Sequence, residues 1–157
     1  MMSPEALFEL LRSRRSVRAF TDRPVDRATL DRLIEAAQWA PSNHNRQGWK
    51  FIVFQDRGHI ADLAARVGES LKTRLASANR RVAAQGQELV HFGTLFAQAP
   101  VAILALHKKS PAVGRALLGE AGRQVSAEAL SAAMAVQNML LAAHAMGLGA
   151  CVMTAPL

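Results

Sequence analysis

Three guanidinium groups and a hydroxyl crowd into the five residues Arg14-Arg15-Ser16-Val17-Arg18. Arginine pairs bidentately with phosphate oxygens and a serine hydroxyl adds a further donor, so this inventory suits a phosphate monoester. In an extended segment Arg14, Ser16 and Arg18 project to one side, and Arg15 points away unless the chain turns. The alternative is a basic turn after a helix, where cations complement the helix C-terminus. The cluster alone does not decide between the two. A second segment, Ala40-Pro41-Ser42-Asn43-His44-Asn45-Arg46-Gln47-Gly48-Trp49, carries six consecutive side chains able to hydrogen-bond, Ser42 to Gln47. Pro41 biases Ala40 out of helical geometry, and Ser42, Asn43 and Asn45 favour turns through their own side-chain hydrogen bonds. This segment could be a plain helix-to-strand connection. Its amides, however, can both donate and accept around the polar edge of a heterocycle. A phosphate clamp and an amide-rich loop together suggest a nucleotide-like cofactor.

Other chemistries find little support. The five histidines (His44, His59, His91, His107, His144) show no metal-ligand spacing, HExxH is absent, and no metal site is expected. GxGxxG and GxxxxGK[ST] are missing, which leaves a Rossmann or P-loop site unsupported, and without GxSxG no hydrolase nucleophile stands out. The single cysteine, Cys151, excludes an intramolecular disulfide and a Cys-based zinc site; in its apolar stretch it reads as a buried structural thiol. Net charge is +7, from fifteen arginines and four lysines against twelve acids, which raises the question of a nucleic-acid partner. Acidic residues interleave with the basic ones, and the basic region 58–98 offers few stacking aromatics, so nucleic-acid binding is not expected.

These residues need elements to hold them. Ser3 and Pro4 start a first helix with Leu7, Leu10 and Leu11 on one stripe, running out near Ser13 so that the arginines follow directly. Pro24 and Asp26 start a second, with Leu30, Leu33, Ile34 and Ala37 on one face, ending near Trp39. Trp49 to Gln55 reads as a buried strand and Pro100 to His107 as another. Residues 58–98 read as largely helical with an interruption near Gln85-Gly86-Gln87. Lys108 to Gln124 reads as a loop, long enough to serve as a lid or an interface element. From Ser126 to Met146 runs an Ala-rich helix, small and apolar on all sides, which must be enclosed by other elements. Gly147 and Gly149 stop it, and Ala150 to Thr154 reads as a third strand. The uncharged run 129–157 is interrupted by Gln137, Asn138, His144 and two glycines, so a buried helix suits it better than a membrane span. The first residues lack a signal-peptide pattern, and a cytoplasmic protein is the expectation. With half of its 157 residues hydrophobic, the chain reads as one domain over 1–157.

Order, spacing and residue types resemble the nitroreductase family of flavoproteins. Arg-Arg-Ser-Val-Arg-Ala-Phe at 14–20 is similar to the family's opening, and the 40–49 segment to its second flavin-contacting segment. Phe96-Ala97-Gln98-Ala99-Pro100 resembles the approach to its central strand, and Gln137 to Gly149 its long dimer-forming helix. The resemblance implies an α+β fold with a central, mainly antiparallel sheet flanked by helices. It also implies a homodimer with flavin mononucleotide (FMN) in the subunit interface.

By resemblance, Arg14, Arg15 and Ser16 would clamp the phosphate. Arg18 would lie near the ribityl chain and the N1–O2 side of the ring, where a cation favours negative charge. Pro41, Ser42 and Asn43 would approach the flavin held mainly by the other subunit, with Asn45 and Gln47 shaping the loop. Thr154 and Ala155 would supply backbone contacts near N5. The implied activity is ping-pong electron transfer from NAD(P)H to a nitroaromatic, quinone or similar small acceptor. No side chain need act as acid or base in it, so catalytic residues as such remain unassigned. Two departures stand out. Gly48 takes the place of a usual proline, and the chain ends at Leu157 where relatives continue with further helix and strand. A C-terminally short member is expected to hold flavin less firmly, and the alternative is a catalytically weak flavin- or ligand-binding homodimer.

Overall fold

The computed structural model describes residues 3–77, 86–108 and 126–154. The chain divides into two compact units. One comprises Met1–Arg15, Asp26–Ile52 and Ile103–Ala150, the other Ser16–Val25, Val53–Ala102 and Cys151–Leu157.

In the first unit, α1 (Pro4–Ser13) begins where the Ser3 hydroxyl accepts the Ala6 N–H at 3.2 Å. Helix α2 (Arg27–Gln38) begins where the Asp26 carboxylate accepts the Thr29 N–H at 2.7 Å. Each satisfies a backbone donor that the first helical turn leaves without a partner. Helix α5 (Ala127–Ala145) is capped in the same manner by Ser126, whose hydroxyl accepts the Ala129 N–H. It ends in a glycine stop: Gly147 adopts φ 74°, its N–H reaches the His144 carbonyl, and Leu148 N–H reaches that of Ala143. Only glycine takes that left-handed position without a steric penalty.

The core of this unit is the seam between α2 and α5. Leu30, Leu33 and Ala37 are buried from one side, and Ala132, Ala135, Met139 and Ala143 from the other. Alanines on α5 let the helices approach closely, and Asn138 Nδ2 donates across the seam to the Ala36 carbonyl at 3.2 Å. The opposite side of α5 is open. Leu130 is 54% and Met134 39% exposed, so the full enclosure expected of this helix is not provided by the described residues.

Strands β1 (Trp49–Phe54) and β2 (Ala102–His107) form a two-stranded sheet. Lys108 N–H donates to the Gly48 carbonyl, joining the end of one strand to the start of the other in the antiparallel sense. The third strand expected at 150–154 does not form among the described residues. Ala150 makes an isolated bridge and residues 151–154 carry no ladder. A short β-prone run specifies a strand only where a neighbouring edge is free to pair with it.

The second unit is built on α3 (Arg57–Ala76), α4 (Gly86–Thr94) and a single 3-10 turn, Leu95–Gln98. Ile60, Ala64, Val67 and Leu71 line its buried face. Gly86 opens α4 directly against Leu75, where a Cβ would come within 2.8 Å of the leucine side chain. Of the interruption expected near Gln85-Gly86-Gln87, Gly86 and Gln87 are the first residues of α4 and Gln85 lies outside the described residues, as does the loop expected at 108–124 beyond Lys108. No described helix is long and apolar enough to cross a membrane.

Candidate functional site

Helix α1 delivers the arginine cluster. Arg14 is its C-terminal cap and already extended, at φ −57° and ψ 133°, so the chain leaves the helix abruptly. The two leading arginines then divide. Arg15 folds back: its Nη1 donates to the Arg12 carbonyl at 2.5 Å and the Arg14 carbonyl at 2.9 Å, capping the helix terminus. Arg14 is half-buried, and its guanidinium has no hydrogen-bond or ion-pair partner among the described residues. Both readings of the cluster therefore apply, to different side chains. Ser16 and Arg18 are exposed, and Arg18 has no carboxylate partner among the described residues.

The amide-rich segment forms a tight loop with a single 3-10 turn, Asn43–Asn45. Three of its residues hold left-handed backbone: His44 (φ 51°), Asn45 (52°) and Gln47 (45°). Asparagine and histidine visit that region more readily than most side chains, glutamine less so. Ser42 Oγ accepts the Gln47 N–H at 3.0 Å, and Gln47 Nε2 donates to the Gln38 carbonyl at 3.3 Å. Ser42 and Gln47 are thus committed to the loop's own shape. The side chains of Asn43, His44 and Asn45 bond to no described residue and remain available, with Pro41 exposed at the loop's start. Strain concentrated beside unpaired polar groups is a frequent mark of a ligand-contacting loop.

Helix α5 carries both features. At its N-terminal part Ser131 Oγ accepts the Asn43 N–H at 3.1 Å, while the same hydroxyl donates to the Ala127 carbonyl. One turn earlier the buried Glu128 carboxylate lies 4.0 Å from the Arg46 guanidinium. At its last turn His144 Nε2 sits 2.9 Å from Ser13 Oγ, the residue before Arg14. Ser131 and His144 are about 20 Å apart along the helix axis at 1.5 Å per residue. The loop and Arg14 are therefore mounted at opposite ends of one rod.

Sequence reasoning alone gives Ser13, Glu128, Ser131 and His144 no role in the site. The available signal was a polar residue on an otherwise small and apolar helix. At the other end of the chain Thr154 is exposed, and Ala155 lies outside the described residues. No group of histidine, cysteine or carboxylate side chains suited to a metal ion occurs among the described residues.

Comparison with known proteins is consistent across methods. The model of the Nitroreductase family matches residues 11–157. A 5,6-dimethylbenzimidazole synthase of Rhodobacter capsulatus is 35% identical over 149 residues, covering 92% of this chain and 68% of that protein. Among solved structures, a BluB-like flavoprotein from Clostridium difficile 630 superposes with a TM-score of 0.76 at 25% identity, covering 96% of this chain and 74% of that one. An iodotyrosine deiodinase bound to FMN and 3-iodo-L-tyrosine superposes with a TM-score of 0.70 at 24% identity, covering 96% and 76%. The helices, small antiparallel sheet and long α5 fit this α+β fold. The chain belongs to the nitroreductase family.

Proposed function

We propose that this protein is an FMN-dependent oxidoreductase that works as a homodimer, taking electrons from NAD(P)H and passing them to a small acceptor such as a quinone or nitroaromatic. The observation that carries the reading is Arg14: a half-buried guanidinium with no partner among the described residues, at the end of α1 and two residues before Ser16 in sequence. A half-buried guanidinium keeps its donors free for an anion, and a phosphate monoester supplies one in a geometry arginine fits. FMN brings that phosphate and, when bound, supplies two-electron redox chemistry. Arg14 and Ser16 would hold the phosphate, with Arg15 keeping the chain turn in place, and Arg18 would set positive potential near the ring. Asn43 and Asn45 would hydrogen-bond the ring of a flavin held by a second copy, since the roughly 20 Å along α5 separates their loop from Arg14 of the same chain. Thr154 and Ala155 would complete the site near N5. A cytoplasmic location fits a reaction drawing on NAD(P)H.

A second reading has its own support. The 35% identity to a 5,6-dimethylbenzimidazole synthase favours formation of that product from the flavin itself. The product's dimethylated benzene ring bearing two nitrogens is also part of the isoalloxazine skeleton. One experiment separates the two. The FMN-loaded protein is incubated with NADH or NADPH in air, with and without a quinone, while NAD(P)H absorbance is followed and the products are analysed by mass spectrometry. Acceptor-dependent oxidation with FMN intact supports the first reading. Loss of FMN with appearance of dimethylbenzimidazole supports the second. No NAD(P)H oxidation and no product would overturn both.

A further inference from the structure

We infer that His144 is a positioning residue for the phosphate site, fixing Arg14 through Ser13; this rests on the reading of Arg14 as the phosphate clamp. Helix α1 is loosely seated. None of its residues is buried, and Leu7, Phe8 and Leu11 are 43%, 55% and 44% exposed. Among the described residues it makes one side-chain hydrogen bond to another element, Ser13 Oγ to His144 Nε2 at 2.9 Å. The direction of that bond follows from the proton count. Ser13 Oγ lies 2.7 Å from the Glu9 carbonyl, which can only accept, so the hydroxyl's one proton is spent there. The imidazole must then donate its Nε2–H to the serine oxygen. The pair is therefore not a nucleophile with its base, because the hydroxyl proton faces the wrong way. It is a tether.

The far end of the tether is rigid. His144 sits in the last turn of α5, its carbonyl accepting the Gly147 N–H at 3.0 Å, next to the buried Ala143. The near end is joined to Arg14 by a single peptide bond, and Arg14 N–H still bonds the Leu10 carbonyl at 3.3 Å. Cutting the tether frees the last turn of α1 and with it the guanidinium. The cost should fall on the phosphate more than on the ring, whose hydrogen bonds on the proposed reading come mainly from the Asn43–Asn45 loop.

The test compares dissociation constants for FMN and for riboflavin, which lacks the phosphate, in the wild type, R14A, S13A, H144L, H144Q and the S13A/H144L double variant. His144→Leu should weaken FMN about five- to ten-fold, the size of one lost hydrogen bond, and change riboflavin less than about two-fold. His144→Gln places an amide N–H where Nε2–H was and should restore FMN binding. The double variant should be no weaker than the worse single one. Equal losses for both ligands, no loss for either, or no rescue by glutamine would overturn the inference. R14A separates its failure from that of the clamp. If R14A collapses the FMN preference and H144L does not, the tether alone is wrong; if R14A leaves the preference intact, the clamp falls and the tether with it. Should H144L not fold, as judged by circular dichroism, S13A and H144Q carry the same comparison.

Discussion

Arg14 and Arg15 are neighbours in sequence and opposed in use. One guanidinium is spent on the carbonyls that end α1, the other is half-buried with nothing among the described residues to balance it. Arg14→Ala should therefore weaken FMN about 10- to 100-fold, the scale of a lost charge-assisted hydrogen bond, with little change in thermal stability. Arg15→Ala should do the reverse, lowering the melting temperature by a few degrees and moving FMN affinity less. Isothermal titration and thermal melts on the two variants check both. The presence of a dense arginine cluster is legible in the sequence, because it depends on residue type and spacing. Which arginine keeps its guanidinium unpartnered is not, because that depends on the backbone of Arg14 at the helix end. The same limit hides Ser13 and His144, which meet across 131 positions of chain.

At the scale of elements, the caps and the glycine stop were readable and the loop's backbone was not. Ser3, Asp26 and Ser126 sit where short polar side chains before apolar periodicity place them, and Gly147 stops α5. The Thr29 N–H and then its hydroxyl hold the Asp26 carboxyl below its ordinary pKa. The sign follows: a lowered folded-state value contributes stability above the unfolded value and loses it as pH falls through the folded one. Asp26→Ala should therefore melt at a lower temperature than the wild type at neutral pH. The gap should close as pH is taken below 3.8 and through the lower folded value. Left-handed backbone has only a weak composition signal at His44 and Asn45 and none at Gln47, since none of the three is glycine. His44→Gly should stabilise the protein by about 0.5–1 kcal/mol in urea unfolding, because glycine relieves the steric part of that conformation. Gly48→Pro should act the other way. Proline drives the preceding residue toward extended backbone, away from the Gln47 φ of 45°, and breaks the Gln47 N–H to Ser42 link. Gly48 is thus matched to this loop.

At the scale of the molecule, helix order and type could be read from periodicity, whereas the third strand and the covering of α5 could not. Both depend on partners that a local pattern does not contain. Leu130 and Met134 lie open on α5 while the opposite side is sealed against α2. The expected solution state is a dimer by sedimentation, and Leu130→Asp together with Met134→Asp should give monomers that bind FMN weakly. The most direct measurement is a titration of the purified protein with FMN, followed by flavin absorbance and fluorescence with subunit stoichiometry determined. One FMN per chain, with quenched fluorescence and a perturbed spectrum, is the predicted result. A flavin spectrum identical to that of free FMN at every protein concentration would contradict the account.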